Sequence, residues 1–288
     1  MPCYSPLTAY RPVEGGPLQW RETANNREIR INCGQCIGCR LEKSRQWALR
    51  CTHEAQLHQQ NCFITLTYDD QHLPEHGSLY KPHLTDFWKR LRHHCGPFRY
   101  YACGEYGETT QRAHYHACLF GIDFNDKTPL RRIGEHVLYI SEKLTNIWGH
   151  GNTSIGSLTF ETAAYTARYV TKKLSKGQSR FVRLDNETGE IIPLVQPFAV
   201  MSLRPAIGSE WLHKYAKDVY GADKDSITVR GIKMKPAKYY DALYDKIDNE
   251  HMAVIKSKRA NSFEGATDAE LRAREKIAHA RHSAKKQI

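Results

Sequence analysis

The sequence predicts an α+β protein, and three observations predict it. Asn61-Cys-Phe-Ile-Thr-Leu-Thr-Tyr68 is dense in β-branched and aromatic residues, Phe98–Tyr106 and Tyr115–Phe120 in aromatic and apolar ones, and Asp69-Asp70 or Gly punctuates them, as strands require. Arg40–Gln60, Lys81–His94 and Glu161–Ser175 instead repeat apolar residues every three to four positions, the period of a helix with one buried face. The polar stretch Gly107–Arg112 is short enough to join the second and third strands as a hairpin.

Taken in order, Met1–Ile31 is rich in Pro and Gly and reads as irregular. Cys33-Gly-Gln-Cys-Ile-Gly-Cys39 follows, three thiols at three-residue spacing with interleaved glycines that let a backbone wrap an ion. Cys3 would complete a four-cysteine structural zinc site; Cys51 and His53 are the rival fourth ligands. The plain alternative is a glycine turn carrying reduced thiols. Helix Arg40–Gln60 turns Leu41, Trp47, Ala48, Cys51, Ala55 and Leu57 inward and Lys43, Arg45 and Arg50 outward. Lys81–His94 buries Leu84, Phe87, Trp88 and Leu91 in the same way.

Beyond Gly121 the sequence reads as a polar loop, a helix at Ser141–Trp148 and a strand at Thr153–Phe160. Helix Glu161–Ser175 ends before Gly177, with Lys172, Lys173 and Lys176 suited to its C-terminal dipole. Arg180–Leu203 reads as a hairpin turning at Asp185–Gly189, Glu210–Val219 as a helix and Ser226–Lys235 as a strand. Pro236–Ile288 is helical and charged, and from Lys256 onward carries nine basic residues against four acids. The expected organisation is an N-terminal cysteine segment and helix (1–60), a central domain (61–235) and a helical basic extension (236–288).

Composition narrows the partner. Lys and Arg total 42 against 31 Asp and Glu, a formal charge of +11 that favours a polyanion, most simply nucleic acid. The excess is local: residues 162–184 hold Arg168, Lys172, Lys173, Lys176, Arg180 and Arg183 and no acid. Arg168, Lys176 and Arg180 are the DNA-binding candidates. No apolar run approaches the ~20 residues of a membrane span and no secretory signal is apparent, so a cytoplasmic location is expected, with no membrane partner. Nine cysteines, an odd number, suit a reducing compartment.

The chemistry centres on His114 and His116. Side chains alternate along a strand, so these imidazoles share one face and can grip one metal ion. With 15 histidines in the chain, about one such pair arises by chance, and its neighbours must give it weight. In the predicted hairpin Glu105 faces His114, with Cβ atoms about 5 Å apart, which makes it the third ligand. A slip of one residue would exclude it and favour Glu108. Tyr165 and Tyr169 are four apart on one helix face, within the acid-free basic stretch. Tyr240 and Tyr244 share that spacing, but Asp241 and Asp245 beside them would repel a phosphodiester. A tyrosine hydroxyl beside a metal-polarised phosphate can break and rejoin DNA, and Lys172 or Lys173 could stabilise the developing phenolate.

FITLTY, a glutamate-bearing strand, HYHACLF and YTARYVTKKL, in this order, resemble the HUH endonucleases, and among them the rolling-circle replication initiators of small single-stranded DNA phages. MPCYSPLTAYRP and CGQCIGCR resemble, more narrowly, the initiators of gokushovirus-type microviruses. The likeness covers most of Met1 to about Tyr244 and implies a central antiparallel sheet flanked by helices (the HUH endonuclease fold), the histidines mid-sheet and the tyrosine helix across it. It implies further that His114 and His116 hold the metal and that Tyr165 and Tyr169 are nucleophiles. The expected activity is nicking and joining of single-stranded DNA at a phage replication origin through a 5′-phosphotyrosyl intermediate. Mn2+ or Mg2+ is the expected cofactor, with structural Zn2+ at the cysteines, and host helicase and polymerase are the expected partners in a host bacterial cytoplasm. The rival readings are a non-catalytic zinc-knuckle nucleic-acid binder and an HUH transposase or relaxase.

Overall fold

The structure, a computed structural model, describes residues 3–107, 109–171, 181–185, 188–221, 224–261 and 265–284. It divides into two compact units, one formed by Ser44–Ile255 and the other by Met1–Lys43 with Lys256–Ile288. No described helix is long and apolar enough to cross a membrane.

The larger unit is built on a seven-stranded antiparallel sheet. Its strands are β3 (Asn61–Tyr68), β4 (Arg99–Tyr106), β5 (Ala113–Phe120), β6 (Thr128–Ile133), β7 (His136–Ile140), β8 (Gly151–Gly156) and β11 (Phe198–Met201), in the order β11-β4-β5-β3-β8-β7-β6. The predicted class, α+β with a central antiparallel sheet flanked by helices, is the observed one. Strand β3 shows why: every second residue (Cys62, Ile64, Leu66, Tyr68) is buried on one face, and Phe63, Thr65 and Thr67 point to the other. On the first face α2 (Lys81–Cys95) and α3 (Glu142–Trp148) deliver Leu84, Phe87, Trp88, Leu91, Leu144 and Trp148 onto Leu66, Tyr115 and Leu119. On the second face lie the Ser44–Ala55 part of α1 (Ile37–Ala55) and α4 (Phe160–Thr171), whose Ala48, Cys51, Ala163 and Ala167 meet Tyr101, Cys118 and Phe120. Strands β4 and β5 are therefore covered on both faces, and their burial is nearly continuous rather than alternating.

A third core joins α5 (Ser209–Tyr220), α6 (Lys238–Tyr244) and the first part of α7 (Asn249–Asn261) through Trp211, Leu212, Tyr220, Tyr240, Tyr244 and Met252.

Several elements depart from the sequence-based expectation. The N-terminal stretch contains a hairpin of β1 (Leu7–Pro12) and β2 (Asn26–Ile31), of whose residues Ala9 alone is buried, so there is no apolar alternation to read. The polar loop after Gly121 contains β6 and β7 for the same reason, since every residue of β6 is exposed. The strand expected at Thr153–Phe160 is β8, two residues earlier, and Phe160 opens α4. The Arg180–Leu203 hairpin is β9 (Val182–Leu184) with β10 (Ile191–Pro193), and the chain then adds β11 to the central sheet beside β4. Ser226–Lys235 is a short hairpin, β12 (Ile227–Val229) with β13 (Ile232–Met234), turned by Arg230 and Gly231 at positive φ. The C-terminal stretch ends in α8 (Asp268–Ala284), which places Leu271 in the small core of the other unit with Tyr4 and Ile37.

Candidate active site

Strand β5 is paired on both sides. Its register with β4 sets Glu105 opposite His114 and Cys103 opposite His116, and its register with β3 sets Thr67 and Thr65 against the same two histidines. Glu105, His114 and His116 thus share one face of two adjacent strands, β4 and β5. The Nε2 atoms of both histidines lie 3.0 Å from Glu105 Oε1. Both His116 and Glu105 are buried, Glu105 almost completely.

Each imidazole is held at its other nitrogen. His114 Nδ1 lies 2.9 Å from the Arg112 carbonyl oxygen, which only accepts, so Nδ1 carries a proton, and a metal would take Nε2 in place of the proton that nitrogen shares with Glu105 Oε1. Arg112 is itself anchored: its Nε and Nη2 donate to Tyr68 O at 3.1 and 2.9 Å, and its Nη1 pairs with Asp70 at 2.8 Å. His116 Nδ1 lies 3.0 Å from Thr65 Oγ1. The His116 ring stacks on Phe63 at 5.5 Å and meets the Tyr165 ring edge-on at 5.1 Å.

The charge balance differs between the two histidines. Burial is the largest single influence on His114 and pulls it down, but the hydrogen bonds to Glu105 and to the Arg112 carbonyl, with the Glu105 charge, together outweigh it, and its pKa is raised. Burial dominates at His116, aided by the neighbouring His114, and its pKa is lowered.

These donors fit a divalent ion. Ligand atoms about 2.1 Å from one metal stand roughly 3 Å apart, and the two Nε2–Oε1 separations have that length. Glu105 Oε2 is buried with no hydrogen-bond partner among the described residues, a costly arrangement for a carboxylate that no ion neutralises. The three residues form one of two clusters among the described residues whose ligand atoms could hold a metal.

Helix α4 brings the tyrosine. Thr159 and Thr162 cap its start reciprocally, Thr162 N donating to Thr159 Oγ1 at 3.2 Å and Thr159 N to Thr162 Oγ1 at 2.8 Å. Glu161 in its first turn pairs with Arg230. Its inner face is small, with Ala163 and Ala167 buried, and the helix lies close on β4 and β5. Ser44 Oγ donates to Ala164 O at 2.7 Å and ties α1 to it. Tyr165 Oη consequently stands 3.5 Å from Glu105 Oε1, at the outer edge of hydrogen-bond range.

The structure therefore brings together Glu105, His114, His116 and Tyr165. Tyr169 lies one turn further along α4, and nothing is described of its side chain. Arg168 is a half-buried residue of the same helix. Lys172, Lys173, Lys176, Arg180 and the rival ligand Glu108 lie outside the described residues. Tyr240 and Tyr244 are core residues: Tyr240 Oη bonds His53 Nδ1 at 3.0 Å and Tyr244 Oη bonds His251 Nδ1 at 3.0 Å. Burial pushes the Tyr240 phenol above its ordinary range. Burial excludes this pair from the site, whereas the sequence argument used the flanking aspartates; Asp241 in fact accepts a bond from Tyr220 Oη.

The second cluster gathers Cys3, Cys33, Cys36 and Cys39. The rivals belong to other contacts: Cys51 is buried against Tyr101 and Cys118, and His53 is stacked on Trp211 and hydrogen-bonded to Tyr240.

Thr65 and Arg112 escape a reading of the sequence alone. Strand alternation puts Thr65 and Thr67 on one face of FITLTY, but only the pairing of β3 with β5 reveals which face the histidines share.

Residues 61–174, from β3 through α4, match the family model described as Replication-associated protein ORF2/G2P. The chain is 34% identical over 225 residues to Replication-associated protein VP4 of Bdellovibrio phage phiMH2K, covering 74% of this chain and 67% of that protein. It is 31% identical over 289 aligned residues to Replication-associated protein ORF2 of Spiroplasma virus 4, covering 90% and 86%. Replication-associated protein ORF4 of Chlamydia phage 1 is 32% identical over 157 residues, covering 51% of this chain and 39% of that one. No solved structure matches. The likeness to microvirus-type replication initiators read from the sequence is thereby borne out. The chain belongs to this family of phage replication-associated proteins.

Proposed function

We propose that the chain is a metal-dependent endonuclease and strand transferase that nicks and rejoins single-stranded DNA at a phage origin to initiate rolling-circle replication. The observation that carries this reading is the meeting of Glu105, His114 and His116 within metal-ligand distance of one another, with Tyr165 Oη 3.5 Å from Glu105 Oε1. Membership of the replication-associated family supports it.

A divalent ion bound there, Mn2+ or Mg2+ by its mixed carboxylate and imidazole donors, would polarise the scissile phosphate. The protein residues do the rest. With that ion at Nε2, Arg112 O and Thr65 Oγ1 would accept from the Nδ1 protons of His114 and His116 and keep the two rings oriented. Tyr165 attacks phosphorus: a Tyr Oη–P bond forms, the P–O3′ bond breaks, the phenolic proton departs and the 3′ oxygen gains one. The product is a 5′-phosphotyrosyl adduct and a free 3′-OH for a host polymerase. One phosphodiester replaces another, so rejoining needs no ATP. A phenol of pKa ~10 must lose its proton during attack, and Lys172 or Lys173 is assigned to stabilise the developing phenolate. Tyr169 is assigned the second cut, with the first linkage then closed by the released 3′-OH. Arg168, Lys176 and Arg180 are assigned to the DNA backbone, and unwinding to a host helicase in the bacterial cytoplasm.

The test is incubation of a labelled origin oligonucleotide with Mn2+, read as a covalent protein–DNA band on a denaturing gel. Tyr165→Phe and Tyr169→Phe should each retain some adduct and lose repeated rounds, and the double variant should form none. Chelation or His116→Ala should abolish the adduct while DNA binding persists. An adduct from the double variant, or nicking undiminished in excess EDTA, would refute the assignment. Tight binding with no adduct under any metal would favour the non-catalytic binder instead.

A further inference from the structure

We propose that Cys3, Cys33, Cys36 and Cys39 hold a structural zinc ion as a closed tetrathiolate, independently of the reaction assigned above. Four sulfurs tetrahedrally placed ~2.3 Å from zinc stand about 3.8 Å apart. The Sγ separations are 3.6 Å for Cys3–Cys33, 3.9 Å for Cys3–Cys36 and 4.0 Å for Cys33–Cys39, and all four sulfurs lie within 4.8 Å of one another. A disulfide needs about 2.05 Å, so the cluster is not a pair of unclosed bridges, and all four thiols are free.

The backbone is arranged for thiolates rather than thiols. Cys33 N points at Cys3 Sγ at 3.3 Å, and Gln35 N and Cys36 N point at Cys33 Sγ at 3.4 and 3.3 Å. Tyr4 N and Cys39 N point at Cys36 Sγ at 3.3 and 3.5 Å. Five amide donors aimed at three sulfurs offset negative charge, the outer shell a zinc tetrathiolate requires. Gly34 adopts φ 75°, the left-handed turn between Cys33 and Cys36 that a side chain would strain.

The ion would also supply what this unit lacks. Among the described residues its apolar core cluster has Tyr4, Ile37 and Leu271 as buried members, with partly buried neighbours such as Leu41 and Ala278. A core that small seldom carries a fold unaided. Cys3 precedes β1, Cys33 follows β2 and Cys36 and Cys39 lie at the start of α1, so one ion pins both ends of the hairpin to the helix. Four thiolates leave no open coordination position, which makes the role structural rather than catalytic.

The experiment uses the full chain with His116→Ala, to remove the second metal site, expressed in medium containing zinc and iron and dialysed without chelator. Elemental analysis should find one zinc per chain, and X-ray absorption should find four sulfurs about 2.3 Å from it. Cys36→Ser should lose the zinc and lower the melting temperature, Cys36→His should retain the zinc, and Cys95→Ser should leave it unchanged. Should Cys36→Ser fail to fold, metal content and sulfur coordination of the parent decide alone. Iron in place of zinc, a metal-free chain with four thiols titratable without denaturant, or zinc retained in folded Cys36→Ser would overturn the proposal.

Discussion

Thr65→Val isolates the support of a metal ligand from the ligand itself. Valine keeps the shape and strand preference of threonine, so β3 should be undisturbed. What disappears is Oγ1, 3.0 Å from His116 Nδ1. Without metal, the His116 ring can shift its proton to Nε2 and share it with Glu105 Oε1, 3.0 Å away, so the loss is largely absorbed. With metal at Nε2, the proton must sit on Nδ1 and loses its oxygen acceptor, a buried defect of about 1–3 kcal/mol. The penalty therefore falls on the metal-bound form. It corresponds to a Kd for Mn2+ raised about ten- to a hundredfold, the usual range for a lost outer-shell partner. Calorimetric titration of Mn2+ into wild type and Thr65→Val measures it, alongside urea unfolding without metal, where the two should differ by less than about 1 kcal/mol. Adduct formation should return at saturating Mn2+. An unchanged Kd, or a defect that no Mn2+ concentration repairs, would refute the tautomer argument.

Glu105→Gln preserves volume and removes the charge between two imidazoles; Mn2+ binding should vanish by calorimetry while oligonucleotide binding by anisotropy is retained, and intact Mn2+ affinity would remove Glu105 from the ligand set. Ala167→Leu overpacks the contact of α4 with Tyr101 and Phe120 and should cost about 1–3 kcal/mol in urea. The same change should cut adduct yield with Mn2+ affinity unchanged, since the helix carries Tyr165 and the sheet carries the ligands; normal adduct yield in a measurably destabilised variant would contradict this. His53, buried against Trp211 and Tyr240, has its pKa lowered by burial to about 3, against ~6.5 unfolded. Below pH 6.5 the unfolded chain binds the proton that the folded one refuses, so stability is full above that pH and falls toward pH 3, by about 2 kcal/mol at pH 5. Stability against pH should be flatter in His53→Gln; parallel profiles would mean that His53 does not carry the acid loss.

What the sequence reveals follows from what each segment buries. Strand β3 and α2 are legible because their buried residues recur at the period of the element, β4 and β5 because they are dense in aromatic and apolar residues, and the six-residue turn carries the register that sets Glu105 against His114. Strands β1, β2 and β6 are illegible because they bury little, so neither alternation nor composition marks them. Position β11 is hidden for another reason: a four-residue strand joins the sheet beside β4, nearly a hundred residues away in sequence, and local pattern cannot record that pairing. The C-x2-C-x2-C spacing makes Cys33, Cys36 and Cys39 legible as a group and leaves the fourth member open between Cys3, Cys51 and His53, because that residue comes from a distant part of the chain. Arg112 was not, because it acts on His114 through its carbonyl, and any residue has one.

Strand β5 is hydrogen-bonded on both edges and covered on both faces, so the histidines occupy the segment least able to open by itself. Their amides should exchange with solvent deuterium only when the whole sheet melts. A destabilising substitution elsewhere in this unit would then reduce the fraction of molecules that bind metal without altering the affinity of those that remain. Loss of activity in such variants would be a matter of headcount, recoverable by lowering the temperature, whereas defects at Thr65 or Glu105 would persist in every molecule.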